Sequence, residues 1–204
     1  MRSSRIWTML LGLALIYDTR AGMAAHRESR TKRGGPALVV YVGEDNAPVP
    51  GLGLAKANAT RIFGSIGIPV MFRAGAEPRS EKSGAVSIEM KLDARVPARV
   101  HPGAMAYALP FGDSGTRIHI FCDRVLSTAP ETGPGTILGY VMVHEIAHVL
   151  QGSARHSEEG IMKAHWEDSD YRQMKSGTLP FHPTDVDLLR AGLDRRATRS
   201  ARAE

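Results

Sequence analysis

The sequence predicts an α+β fold in which a mixed, twisted sheet of about five strands packs against two large helices. Five short segments either alternate apolar and polar residues or form β-branched runs, as strands do. Two longer segments place apolar residues at helical spacing and are bounded by residues that start or stop helices. The length of 204 residues suits one domain or at most two small ones, and no internal repeat is visible.

The first half of the chain supplies the predicted sheet. The five predicted strands are 37–42, 69–72, 85–92, 104–109 and 117–121. Between the first two strands, residues 52–66 repeat apolar side chains at helical spacing, and Gly67 ends this first helix.

The second large helix is the most apolar segment of the chain. Residues 136–151 are apolar nearly all round, which is typical of a helix that lies deep in a protein. Gly152 ends this helix, and residues 153–183 are polar and irregular. Thr184 and Asp185 are predicted to cap a last helix.

The positive charge of the chain sits at its two ends. The formal net charge is +5, from 26 Lys and Arg against 21 Asp and Glu. Residues 1–33 hold seven basic and two acidic residues, and residues 190–204 hold five and two. The body between them holds 14 basic and 17 acidic residues. The high pI therefore does not indicate a nucleic-acid-binding surface, and we expect no nucleic-acid partner.

The N-terminal residues have the pattern of a secretory signal peptide. Arg2 and Arg5 precede a twelve-residue apolar run that is too short to span a bilayer, and small residues follow it. We therefore expect a secreted or periplasmic protein with no stable membrane anchor after cleavage; an uncleaved anchor is the alternative. The predicted organisation is a signal peptide (1–25), a disordered basic segment (26–36), the folded domain (37–193) and a disordered basic tail (194–204).

Cysteine usage limits the chemistry further. Cys122 is the one cysteine, which excludes an internal disulfide framework and any CxxC zinc or redox site. We expect Cys122 to be a buried, inert thiol.

The apolar second helix contains the motif His144-Glu145-Ile-Ala-His148. Residues four apart are separated by about 40° around a helix, so both imidazoles project from one face at a spacing that suits a tetrahedral Zn²⁺. Glu145 could take a proton from a water that the metal activates. The alternative is a pair of hydrogen-bonded core histidines, but three polar side chains within a buried helix need partners that satisfy them.

A catalytic zinc needs a third protein ligand and keeps its fourth position open. Gly152 can turn the chain back after the helix, and His156 is then the nearest side chain able to reach the metal. Other residues downstream remain alternatives for the third ligand. They are Glu158, Glu159, His165, Glu167 and Asp168.

The run that follows HExxH resembles the metzincin metallopeptidases. The similarity consists of Gly152, the third histidine His156 with Ser157, and then Gly160 and Met162. The His-Ser pair and the Gly-x-Met are most similar to the matrixins within that family. The resemblance spans most of residues 37–193, although only the stretch 144–162 is specific.

This resemblance implies a zincin fold and a set of site residues. His144, His148 and His156 would bind one catalytic zinc ion, and Glu145 would be the general base. Met162 would lie in a tight turn beneath the metal.

The chain departs from the family pattern in one spacing. The second and third histidines are usually six residues apart in metzincins, whereas His148 and His156 are eight apart, with one residue added on each side of Gly152. A downstream glutamate as third ligand would instead make the site gluzincin-like, and Glu167 fits that spacing best. The Asn-Glu pattern usual in the second helix of gluzincins is missing.

The resemblance also implies that a peptide substrate binds extended along an edge strand above the metal helix. We predict residues 117–121 as that strand, with His119 a candidate to face the cleft. Residues 163–171, which include Trp166, are candidates for the wall of the pocket, although Trp166 is also typical of core packing.

The motif and the N-terminal pattern together predict a secreted zinc endopeptidase, a hydrolase that acts on a peptide or protein substrate. The alternative is an exported zinc-binding domain of the same fold without peptidase turnover. Neither the oligomeric state nor the substrate follows from the sequence.

Overall fold

The computed structural model describes residues 38–44, 48–76, 85–94, 104–109, 117–128 and 130–202. The predicted signal peptide (1–25) and basic segment (26–36) lie outside these described residues. None of the helices among the described residues is long and apolar enough to cross a bilayer.

Among the described residues, the sheet has five strands in the order β2-β1-β3-β5-β4. The strands are β1 (Leu38–Glu44), β2 (Val70–Ala74), β3 (Val86–Asp93), β4 (Ala106–Leu109) and β5 (Arg117–Phe121). The neighbours β1–β2, β1–β3 and β3–β5 pair in parallel, and β4 pairs antiparallel with β5. The sheet is therefore mixed, as the sequence predicts.

The helices of the described residues are five. They are α1 (Leu52–Ser65), α2 (Cys122–Ser127), α3 (Pro134–Gln151), α4 (Asp168–Ser176) and α5 (Pro183–Arg202), with a short 3₁₀ turn at Pro130–Thr132. Apolar residues of α1 and α3 share one core cluster with every second residue of the central strands, such as Ile118 and Ile120 of β5. The predicted α+β architecture, a sheet of five strands against two large helices, is confirmed.

The position of α3 explains its composition. Sixteen of its residues are buried, because α3 contacts α1 on one side, α5 on another, and β4 and β5 of the sheet. Its C-terminus is closed by Gly152, which has a φ of 69° and donates its N–H to the carbonyl of His148. Cys122, at the start of α2, is buried, as predicted.

The strand predicted to bind substrate is not an edge strand. Strand β5 has the predicted bounds but is paired on both sides, by β3 and β4. Among the described strands, β4 is the last in the order and pairs antiparallel with β5. Strand β4 therefore forms the edge of the described sheet on this side. The alternation along one strand could not reveal this order, because pairing partners are set by tertiary packing.

The structure also differs from the predicted disordered tail. Helix α5 continues to Arg202, well past Leu193. Arg196 donates to the carbonyl of Val149 in α3, and Ala197 packs against the core. The Arg-rich, aperiodic sequence after Leu193 predicts no helix. Contacts of Arg196 and Ala197 with α3 and the core stabilise this part of α5.

Two further differences concern local signals. Residues 168–176, predicted to be irregular, form α4, whose first turn carries a capping box between Glu167 and Asp170. The last helix begins at Pro183, one residue before the predicted cap, and the N–H of Thr184 donates to Nδ1 of His182. Asp185 therefore lies within the first helical turn and not at its cap.

Gly192 allows α5 to approach α3 closely, since a Cβ at this position would overlap the carbonyl group of Leu150. We expect Gly192→Ala to lower the free energy of unfolding by about 1–3 kcal/mol, as overpacking does in other cores. Chemical denaturation would measure this change.

Gly64→Ala in α1 is the matched control, because a Cβ there meets nothing within 4 Å. This variant should be neutral or stabilising by up to about 1 kcal/mol, through higher helix propensity. Equal stabilities of the two variants would contradict the close contact between α3 and α5.

Candidate metal centre

Three histidines converge at the C-terminal half of α3. His144 and His148 lie on one face of the helix, with their Nε2 atoms 2.9 Å apart. The third, His156, comes from the loop after α3, and ligand nitrogens of all three lie within 4.8 Å of one another. The ring centroid of His156 is 5.4 Å from that of His144 and 4.8 Å from that of His148. The structure thus brings together the three histidines that the sequence singled out.

Backbone carbonyls determine the tautomers of the two helix histidines. Nδ1 of His144 lies 2.8 Å from the carbonyl oxygen of Ile161, and Nδ1 of His148 lies 3.0 Å from that of Ser153. A carbonyl oxygen only accepts hydrogen bonds, so each Nδ1 must carry a proton and donate it. The Nε2 atoms of the neutral rings are therefore both acceptors.

Two acceptor nitrogens 2.9 Å apart cannot hydrogen-bond to each other without an extra proton. The lone pairs of His144 and His148 repel in this arrangement unless a cation lies near both. Three imidazoles suit zinc and other transition metals, and two nitrogens bound to one zinc at about 2.0–2.1 Å would stand about 3.3 Å apart. The donor set therefore fits a metal such as zinc, with His156 as the third residue able to hold it.

Burial keeps these imidazoles neutral and ready to bind a metal. Burial, and next the neighbouring His148, lower the pKa of His144 to about 3. The pKa of His148 is lowered by burial and then by His156, while that of His156 is lowered by burial and then by His165. Metal ligands must be deprotonated, so these shifts favour metal binding at neutral pH.

Glu145 is a buried carboxyl group beside these ligands in the sequence. It is 8% exposed, and burial raises its pKa to about 8 in the metal-free protein. A carboxyl group with a pKa near the working pH is suited to take up and release a proton. Burial therefore gives Glu145 a pKa that would suit a general base or acid.

The loop that carries His156 is bound to the turn that carries Met162. The N–H of Ser157 donates to the carbonyl of Met162 at 2.8 Å, and the Met162 side chain is fully buried. Gly160 has a φ of 77°, and a Cβ there would lie 2.5 Å from the carbonyl oxygen of Pro180. The turn is therefore tight, buried and adjacent to the third histidine.

The alternative third ligands are engaged elsewhere or lie outside the cluster. Glu159 is 3.6 Å from Nε2 of His182, and Glu167 caps α4 and lies 3.6 Å from Lys163. Glu158 and Asp168 are exposed. Among the described residues, the group able to share one metal consists of the three histidines. His165 is not part of this group, although it lowers the pKa of His156.

Trp166 packs against the site, whereas His119 does not. The Trp166 ring meets His144 edge to face at 5.5 Å, and its Nε1 donates to the same Ile161 carbonyl that His144 uses. His119 alternates with the core residues Ile118 and Ile120, so it lies on the sheet face away from α3. There its Nδ1 is 2.7 Å from Oδ2 of Asp93, so it does not face the cleft.

The carbonyls of Ile161 and Ser153 are functional groups that the sequence could not reveal. Every residue carries a carbonyl, so no side-chain pattern marks those that orient a ligand. Their position depends on how the loops return to α3 in the folded chain.

The described residues combine a mixed sheet, a buried helix that carries HExxH, and a third histidine on the loop after that helix. A solved structure that is similar to this chain is archaemetzincin from Methanopyrus kandleri, with a TM-score of 0.53 and 14% sequence identity. The match covers 80% of this chain and 98% of that one. No protein-family profile and no curated protein matches the sequence. At 14% sequence identity, this similarity shows only that the two folds are alike. The three-histidine cluster is inferred from the geometry of this chain itself.

Removal of His156 tests the third ligand directly. We expect His156→Ala to weaken zinc binding by more than about 100-fold, because it removes a ligand. Loss of a group that only hydrogen-bonds to a ligand typically weakens metal binding by about 10–100-fold. Competition with a chelator of known affinity would measure it. His165→Ala is the control and should bind zinc like the unchanged protein; the reverse result would make His165 the third ligand.

The pKa of Glu145 predicts a pH-dependent effect of Glu145→Gln on the metal-free protein. A folded pKa of about 8, above the usual 4.5, means that the folded state binds more protons than the unfolded state between these values. The carboxylate therefore destabilises the fold increasingly as the pH rises. The stability gained by Glu145→Gln should be larger at pH 9 than at pH 6, by about 2 kcal/mol or more.

Urea denaturation of both proteins at both pH values would measure this difference. The exposed Glu159→Gln is the control and should show no such change. A pH-independent effect of Glu145→Gln would mean that Glu145 is not buried as a neutral acid.

Proposed function

We propose that this protein is an exported, zinc-dependent endopeptidase of the metzincin type. The observation that carries the proposal is the pair of neutral imidazoles whose acceptor nitrogens converge 2.9 Å apart on the helix that also carries the buried Glu145. The metzincin-type fold supports this activity, and the predicted signal peptide supports export to the periplasm or the cell exterior. That the protein is matrixin-like within this type, as the His-Ser pair and Gly-x-Met suggest, stays a prediction.

Each site residue has a distinct role in the proposed hydrolysis. His144, His148 and His156 would hold the zinc, and Met162 would line the buried turn behind them. Zinc, when bound, supplies a Lewis acid that polarises the scissile carbonyl and lowers the pKa of water.

Glu145 would move the protons of the reaction. As a carboxylate it accepts a proton from the attacking water, and as the resulting acid it donates that proton to the leaving amine. A positive metal nearby favours the carboxylate form, so the pKa of Glu145 would fall from the raised value of the metal-free protein. Burial of Glu145 keeps bulk water from competing for that proton.

Strand β4 is the candidate to bind the peptide backbone. It contacts α3 and forms the edge of the described sheet on that side. An extended peptide could add to this edge by backbone hydrogen bonds, which would place its carbonyls over the metal helix. Trp166, edge-on to His144, would border the adjoining pocket.

Substitution of Glu145 separates catalysis from metal binding. We expect Glu145→Ala to keep one zinc per chain and to lower the rate of peptide hydrolysis by about 10²–10⁴-fold, the usual contribution of a general base. Zinc analysis and the cleavage of a broad peptide library would measure both quantities. Glu159→Ala, with a highly exposed side chain, is the control and should keep full activity.

The alternative function has a different signature. An unchanged protein that binds zinc tightly but cleaves no peptide in the library would contradict the peptidase and favour a zinc-binding domain without turnover.

A further inference from the structure

Asp185 is a charged residue buried completely beside the metal centre. It lies in the first turn of α5 and is 0% exposed, although a carboxylate is costly to bury without partners. Its position near the N-terminus of a long helix favours its negative charge. The field of Asp185 also reaches both His144 and His148.

The partners of Asp185 come from the segment that carries the third histidine. Nη1 of Arg155 donates to Oδ1 at 2.7 Å, and Oγ of Ser157 donates to Oδ2 at 2.6 Å. Nε2 of Gln151, the last residue of α3, lies 3.3 Å from Oδ1. One carboxylate therefore binds the end of α3 and both neighbours of His156.

The length of this segment explains why such a clamp is needed. His148 and His156 are eight residues apart, and a longer loop has more conformations to lose when its ligand is placed. His156 is exposed, and its ring contacts are with the other two histidines. Buried packing of its own side chain therefore does not hold it in place.

We propose that Asp185 is a positioning residue that holds His156 in metal-binding geometry by accepting hydrogen bonds from Arg155 and Ser157. We call these three residues the clamp. The proposal rests on the metal site of the proposed function and adds to it the group that orders the third ligand. It requires the buried carboxylate of α5 and the guanidinium of Arg155 to act as one unit.

The zinc affinity of clamp variants tests this role. We expect Asp185→Asn to weaken zinc binding at least about ten-fold, the usual effect of a group that orients a metal ligand. Arg155→Met should weaken it in the same direction, and Arg155→Lys, which keeps a charged donor, should restore most of the affinity. The double variant with Asp185→Asn and Arg155→Met should bind zinc no more weakly than Asp185→Asn alone, because both changes remove the same ion pair.

A second readout separates positioning from stability. The visible spectrum of the Co²⁺-substituted protein reports the ligand set, and it should change in Asp185→Asn and Arg155→Met. Arg117→Met is the matched control, since the Arg117 side chain is 41% exposed against 44% for Arg155 and forms an ion pair of 3.0 Å with Glu89. This control should leave both zinc affinity and the Co²⁺ spectrum unchanged.

The outcomes distinguish this proposal from the proposed function. Zinc affinity and a Co²⁺ spectrum that are unchanged in Arg155→Met would overturn the clamp, even if Asp185→Asn fails to fold. A drop in the melting temperature of the metal-free protein without a change in zinc affinity would also overturn it. Zinc binding that depends on the clamp, without peptide hydrolysis, would support the clamp and contradict only the peptidase. An unchanged protein without zinc affinity would overturn both.

Discussion

The close approach of two acceptor nitrogens on α3 is the constraint on which the rest of the structure depends. His144 and His148 each donate Nδ1–H to a backbone carbonyl, and this leaves both Nε2 lone pairs directed at one point. In a buried environment such an arrangement is unfavourable until a cation fills it. Buried polar groups directed at one another in this way are costly, so they indicate a function.

The surrounding elements hold this unfavourable arrangement in place. The carbonyl of Ile161 comes from the tight turn before Met162, and that of Ser153 from the loop directly after α3. Helix α5 packs against α3 so closely that Gly192 leaves no room for a side chain, and it brings Asp185 to the same loop. The helices and loops behind the site thus determine the direction of its ligands, as outer groups do in metal sites generally.

The similarity to archaemetzincin concerns the architecture, and folds of one type carry many functions. The chemistry of this chain therefore depends on its own side chains. The eight-residue spacing between His148 and His156 illustrates the point, because Asp185 of α5 binds both Arg155 and Ser157, the two neighbours of the third histidine. A change in spacing can be tolerated when another element of the fold supplies the contacts that order the loop.

The sequence by itself determined the elements and the chemistry of the helix that carries the site. Periodicity located all five strands and the first large helix, because side-chain spacing reflects local geometry. The HExxH motif placed His144 and His148 together, because residues four apart on a helix are neighbours whatever the rest of the fold does.

Only the tertiary structure decided the features that join distant segments. It showed that β4 and not β5 is an edge among the described strands, that α5 continues as a helix to Arg202, and that His156 reaches the other histidines. It also paired Asp185 with Arg155, 30 residues away. These features depend on contacts between elements far apart in the chain, and no local pattern of residues records which elements will meet.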